Sequence, residues 1–263
     1  MTDQERVRVY GYGRSGQAYT ARLRDRGHAV AAYDRVDGAV TLVDGERERS
    51  ALLAVLAVPH GEDVADALAA IDPDEVPVIV DLTTQSPALT RRNAEAWHEK
   101  GGRGYHGGGS NGGERAIRAG SSFLLIGPRC DPPVWRVLRD IGHVTEYETA
   151  EYAVTLKLCH NAFLVVENEL ARQLALLCSR LGVDREDLEK VIDDGPAGRR
   201  FGDLTALRHL KGGYETSYAG QYAAKDWRHF QELLGPLDDT AFAFVDAVEL
   251  ERRLESRGAG PWV

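Results

Sequence analysis

Apolar positions along the chain fall into two textures. Over the first 149 residues, short β-branched or aliphatic runs alternate with stretches in which apolar residues recur every three or four positions. Arg6–Tyr10 and Ala29–Tyr33 read as strands on either side of a helix over Gly16–Arg26. Ala51–Val58 is apolar on both faces, as a strand must be when helices cover both sides of a parallel sheet. Val76–Leu82 and Ser122–Ile126 add two more strands, each followed by a turn with Pro or Gly. This alternation predicts a doubly wound parallel sheet.

The texture changes near residue 149. Thr149–Leu181 has neither Gly nor Pro and predicts one helix, closed by Gly182 in the usual C-terminal position. At ~1.5 Å per residue it would be about 50 Å long. Its middle, Ala153–Val166, is apolar nearly all round apart from Thr155, Lys157, His160 and Asn161. Such a helix has to be covered on several sides, which predicts a homodimer or higher homo-oligomer. Further helices are expected at Arg185–Asp193, Phe201–Leu210, Gly220–Leu234 and Thr240–Ser256, with no strand after residue 150. The expected domains are therefore an α/β domain over 1–149 and an all-α domain over 150–263.

Composition narrows the partners. The 263 residues are 43% hydrophobic and 28% charged, an ordinary globular balance, and 32 basic against 41 acidic residues give a net charge of −9. That sign repels phosphate backbones and argues against nucleic acid. No apolar run approaches the ~18–20 residues of a membrane span. The polar start MTDQERVRVY passes directly into a strand, so a cytoplasmic protein without a signal peptide is expected. Cys130, Cys159 and Cys178 lie far apart without a CxxC pair, so neither a disulfide frame nor a metal site is expected.

The most informative stretch is VRVYGYGRSGQAYTARLRDRGHAVAAYDR. Gly11, Gly13 and Gly16 form G-x-G-x-x-G between a strand and a helix, with Tyr12, Arg14 and Ser15 completing the turn. Gly11 allows the tight turn, Gly13 lets amides approach a diphosphate, and Gly16 lets the helix pack against the sheet. The helix N-terminus supplies partial positive charge for the phosphates. Asp34 closes the second strand, where an acid accepts hydrogen bonds from ribose hydroxyls and favours NAD over NADP. Arg35 beside it leaves NADP open, because a guanidinium can hold a 2′-phosphate. A tight turn that binds nothing is the plainer alternative. On the long helix, Lys157, His160, Asn161 and Leu164 are spaced i, i+3, i+4, i+7 and share one face. A lysine in apolar surroundings is disfavoured in its charged form and can act as a general base or acid. The plainer reading is a snorkelling lysine beside a hydrogen-bonded Asn.

Six motifs in order resemble the β-hydroxyacid dehydrogenases, the group of 3-hydroxyisobutyrate dehydrogenase, related in turn to 6-phosphogluconate dehydrogenase. They are GYGRSG, LAVPHGEDV, VDLTTQSPALTRR, GGSNGGERAIRAGSSFLLIGP, LKLCHNAFL and AAKDWRHF. The resemblance implies a Rossmann-type sheet followed by an all-α C-terminal domain, with NAD or NADP as cofactor. It makes Lys157 the acid/base residue and Asn161 the residue that orients substrate. Val58 and Pro59 would pass along the cofactor, Thr84 would lie near the nicotinamide ribose, and Lys225 would reach cofactor or substrate. Ser110, Asn111, Gly112, Gly113 and His160 would meet a small, carboxylate-bearing substrate.

Several positions depart from that pattern. Asn111 stands at the substrate-loop serine, with Ser110 adjacent as a substitute after a small shift. Gly107, Gly108 and Gly109 replace D-A-P, so this run with Gly112 and Gly113 is either an anion-binding nest or a flexible surface loop. Glu151 and Ala153 replace a G-x-G before the lysine helix, and Leu164 stands where the phosphogluconate branch has a glutamate acid. The cofactor half thus keeps the pattern and the substrate half is remodelled. The alternatives are an imine reductase on the same scaffold, against which Lys157 counts, and a non-catalytic dinucleotide-binding protein.

Overall fold

Strand β1 (Arg6–Tyr10) organises the sheet because its alternate residues feed two cores. A computed structural model describes residues 4–46, 50–194 and 221–234. Val7 and Val9 pack on one face with Ala18, Tyr19 and Leu23 of α1 (Arg14–Asp25) and Val134, Val137 and Leu138 of α5 (Pro132–Ile141). Tyr10 packs on the other face with Val64, Ala67 and Leu68 of α2 (Gly61–Ala70) and Trp97 of α3 (Pro87–Glu99). Fully burying a Leu or Val side chain contributes about 1.5–3 kcal/mol, so these two faces carry most of the stability of this part of the chain.

The remaining strands are β2 (Ala29–Val36), β3 (Ala39–Asp44), β4 (Leu53–Leu56), β5 (Val78–Asp81), β6 (Gly104–Asn111), β7 (Ser122–Gly127) and β8 (Gly142–Glu146). Their order across the sheet is β3-β2-β1-β4-β5-β6-β7-β8. Helix α4 (Gly113–Ala119) joins β6 to β7. The expected parallel, doubly wound core runs from β2 to β6, and β7 pairs parallel with β8. Two pairings, β2 with β3 and β6 with β7, are antiparallel, so the doubly wound sheet is mostly parallel, with an antiparallel strand at one edge and one antiparallel step within it.

The differences from the sequence reading have local causes. Strand β3 follows a two-residue turn, Asp37-Gly38, with φ of 51° and 81°, the left-handed pair of a tight hairpin. It is mostly exposed and lacks an apolar run. Strand β8 alternates as a polar edge strand. Strand β4 is shorter than Ala51–Val58, and α1 begins at Arg14 rather than Gly16. The glycine run is neither nest nor loop. Gly107–Gly109 lie buried in β6, all three paired with β7 and Gly107 also with Asp81 of β5.

The chain divides into two compact units, Met1–Lys157 and Leu158–Val263, so the division falls within helix α6 (Ala150–Arg180) rather than at 149/150. The second unit holds the rest of α6, then α7 (Arg185–Asp194) and α8 (Gln221–Leu234), and its described residues are helical apart from the turn after α6. Gly182, with φ +70°, closes α6 as expected, and the amides of Leu181 and Val183 donate to the Cys178 carbonyl. The helices expected at Phe201–Leu210 and Thr240–Ser256 lie outside the described residues. Among the described residues, no helix is long and apolar enough to cross a membrane, and no cluster of His, Cys, Asp or Glu could hold a metal.

Two charged contacts yield tests. The Lys100 ammonium donates to the carbonyls of Leu68 (2.8 Å), Ala69 (2.8 Å) and Ile71 (2.7 Å), closing the C-terminus of α2. Lys100→Met should lower stability by about 1 kcal/mol in urea unfolding. Asp44, at the end of β3, accepts from Arg24 (2.8 Å) and from the Tyr12 hydroxyl, and the Arg24 bond, then the Tyr12 bond, hold its carboxyl below the usual range. A depressed folded pKa means that this stabilisation is complete above the unfolded value of about 4 and is lost as pH falls through the folded one. Acid unfolding of Arg24→Gln should therefore show a shallower loss of stability below pH ~4 than the parent chain.

Candidate active site

At the end of β1 the chain turns through Gly11 at φ +90°, where a Cβ would stand 2.4 Å from the Ala57 carbonyl oxygen. A Cβ at Gly16 would stand 1.7 Å from the Gly11 oxygen, so both positions are fixed by close packing. Gly13 faces open space, with nothing within 4 Å of its would-be Cβ, and Arg14 and Ser15 beside it are exposed. Helix α1 starts here with no side-chain cap and no acid in its first turn. Its first amides therefore have no partner within the helix. The turn lies between β2 and β4, which flank β1 on opposite sides, the switch point at which open α/β sheets take ligands. Open donors beside a glycine that leaves room are the set a diphosphate needs, so these residues fit a dinucleotide.

Asp34 is half-buried at the end of β2, and its carboxylate accepts from the amides of Tyr12 (3.1 Å) and Arg35 (2.8 Å). The Arg35 side chain turns to α2, where it pairs with Asp63 and Asp66. On β4's far side, the Val58 amide donates to Thr83 Oγ1 (3.3 Å), with Pro59 exposed and Thr84 half-buried.

Beneath Thr83 and Thr84 lies a buried polar network. Asp81, fully buried at the end of β5, accepts from the Thr83 amide (2.9 Å), Gln85 Nε2 (2.6 Å) and the Tyr105 hydroxyl (2.5 Å). Asn93 Nδ2 donates to Gln85 Oε1 (3.0 Å). Burial pushes the Asp81 carboxyl up, and the bonds from Tyr105, Thr83 and Gln85 offset only part of that. The network ties the β5–α3 loop to β6 and α3 and so fixes where the threonines sit. Sequence reasoning gave no role to Asp81, Gln85, Asn93 or Tyr105. The available signal was an acid and an amide bracketing two threonines in DLTTQS.

The lysine sits at the end of β6. Lys157 is 6% exposed, and its Nζ donates to the Ser110 carbonyl (2.7 Å) and to Asn111 Oδ1 (2.5 Å). Its surroundings are thus buried but not apolar, because two neutral oxygens replace the lost water around the ammonium. Glycines allow the approach. A Cβ at Gly109 would stand 2.7 Å from Lys157 Cγ, one at Gly107 2.9 Å from Ala150 Cβ, and one at Gly127 2.0 Å from the Thr149 oxygen. The pleat of β6 sends Asn111 to the face of Gly109 and Lys157 and Ser110 to the opposite face. There the Ser110 hydroxyl shares a hydrogen bond with Tyr19 of α1, whose phenol burial pushes up to about 12. Ser110 therefore offers Lys157 its carbonyl, not its hydroxyl. Gly112 and Gly113 form the exposed turn into α4.

In the second unit, Asn161 Nδ2 donates to Asp226 Oδ2 (2.8 Å), and both side chains are buried. Lys225 Nζ stands 3.6 Å from Asp226 Oδ1. His160 is exposed, with Nδ1 3.4 Å from Asn161 Oδ1.

No family model and no curated protein matches this chain. Solved structures do. The 3-hydroxyisobutyrate dehydrogenase of Mycobacterium tuberculosis, in a structure with L-serine, superposes with TM-score 0.76 at 18% identity over 97% of this chain and 95% of that one. The 3-hydroxyisobutyrate dehydrogenase of Salmonella typhimurium gives 0.77 at 13% identity, over 98% and 96%. Psf3, in complex with NADP+ and 2-OPP, gives 0.75 at 19% identity, over 95% and 93%. The chain therefore has the fold of these proteins along nearly its whole length.

The glycine contacts separate two substitutions. A methyl at Gly108 would meet the Leu125 oxygen at 1.7 Å, so Gly108→Ala should cost at least about 3 kcal/mol or prevent folding. Gly13→Ala, facing open space, should change stability by less than about 1 kcal/mol in the same thermal unfolding assay.

Proposed function

We propose that this chain is an NAD(P)-dependent oxidoreductase moving hydride between nicotinamide and the carbinol carbon of a small β-hydroxy acid, or its semialdehyde or keto partner. The observation that carries this reading is the buried Lys157 ammonium at the C-terminal end of β6. Strands β1, β4, β5 and β6 run parallel, so that end lies on the same sheet edge as the open N-terminus of α1. A lysine built onto that edge beside a dinucleotide turn is what proton transfer coupled to hydride transfer requires.

When bound, the nicotinamide supplies the two-electron acceptor or donor. Lys157 supplies the proton. In the reducing direction its ammonium donates to the carbonyl oxygen of the substrate, and in the oxidising direction the amine takes the hydroxyl proton. The reacting oxygen takes the place of Asn111 Oδ1 or of the Ser110 carbonyl as partner to Nζ. Asn111, Gly112 and Gly113 at the β6–α4 turn, with Ser110, receive the substrate. Val58, Pro59 and Thr84 line the cofactor, and Asp34 favours NAD through the ribose hydroxyls. Asn161, His160 and Lys225 keep the roles that the resemblance implies for them. The L-serine held by one matched structure is itself a β-hydroxy acid, which favours this substrate class. Exposed Tyr152 and Phe163 on α6 support self-association, measurable by light scattering.

The test follows nicotinamide absorbance with β-hydroxy acids, short aldehydes and cyclic imines. Turnover is expected with a member of the first two groups, and Lys157→Ala should lower kcat by about 10²–10⁴ while leaving cofactor affinity, read from tryptophan fluorescence, unchanged. Undiminished turnover in the variant removes Lys157 from the chemistry, and turnover of imines alone replaces this reading with an imine reductase.

A further inference from the structure

The corner of the sheet around Arg35 carries a selection device, whose meaning rests on the dinucleotide reading above. A 2′-phosphate on the adenosine ribose is a dianion and needs a guanidinium to hold it. Arg35, next to Asp34 at the end of β2, is the guanidinium in position to supply that contact. Its side chain is already engaged. Nη1 stands 3.6 Å from Asp63 Oδ1, and Nη2 pairs with the Asp66 carboxylate.

Those two acids are spaced i, i+3 and lie on one face of α2. Asp63 is fixed independently of Arg35, because its Oδ2 accepts from the His60 amide (3.1 Å) at the N-cap of the helix. Asp34 is fixed as well, by the amides of Tyr12 and Arg35. The pleat of β2 sends Asp34 and Arg35 to opposite faces of the sheet. This corner therefore sets three carboxylates against one guanidinium, a local balance of −2. A dianionic phosphate entering there would have to pull Arg35 from its partners and sit among like charges, whereas a neutral hydroxyl would meet the acceptor Asp34.

We propose that Asp63 and Asp66, by occupying Arg35, are specificity-determining residues that set this chain to take NADH over NADPH. Removing their charges releases the guanidinium toward the ribose.

The experiment measures dissociation constants of NADH and NADPH by nicotinamide fluorescence. The proteins are the parent chain, Asp66→Asn, Asp63→Asn/Asp66→Asn, and the double variant with Arg35→Ala added. The Asp63→Asn change keeps a side-chain oxygen for the His60 amide, and Asp66→Asn alone should move the ratio in the same direction if the double variant unfolds. The parent is expected to bind NADH more tightly. The double variant should shift the affinity ratio toward NADPH by about tenfold, and Arg35→Ala should abolish that shift. Tighter NADPH binding by the parent, an unchanged ratio in the variants, or a shift that survives Arg35→Ala overturns the proposal. If the parent binds neither nucleotide, the dinucleotide reading falls and takes this proposal with it, an outcome distinct from the others.

Discussion

A buried ammonium must be solvated by something other than water, and much of the first unit is arranged around that requirement at Lys157. Two carbonyl oxygens at the end of β6 meet Nζ, and they can do so only because α6 begins very close to the sheet. Gly107, Gly109 and Gly127 make that closeness possible by having no Cβ where Ala150, Lys157 and Thr149 lie. A run of small residues that looks like slack in the sequence is thus closely packed. Removing one of these oxygens would leave the buried ammonium one acceptor short, a cost of about 1–3 kcal/mol.

The fold was legible where its determinants are local. The β1–α1–β2 segment could be read directly, because glycine spacing, an apolar alternation and a closing acid lie within one short stretch. The length of α6 and its stop at Gly182 were legible for the same reason. Strand β6 was not. Glycine has no side chain to pack and no preference for a strand, so Gly107–Gly109 become one only through pairing with β7, with β5 flanking the other side as far as Gly107. Strands β3 and β8 escaped notice because edge strands need no continuous apolar run.

The candidate site divides in the same way. Lys157 and Asn111 were visible as residue types at suggestive positions, but which neighbour meets the lysine depends on the pleat, and hence on β6 being a strand. That one assignment sends the Ser110 hydroxyl away and brings Asn111 in. The Asp81 network was hidden because its members come from β5, α3 and β6 and share no spacing. Likewise, Arg35 could not be read as occupied when its partners lie on a helix well beyond it in the chain.

The phenol of Tyr19 reaches from the middle of α1 to Ser110, the residue whose carbonyl meets Lys157. One rigid aromatic ring thereby braces the helix that follows the glycine turn against the end of β6, like a strut between two walls. The path from α1 to the ammonium thus runs through a single residue, Ser110. The two ends cannot be refitted separately: grafting a different glycine turn onto this scaffold would shift the surroundings of Lys157 as well.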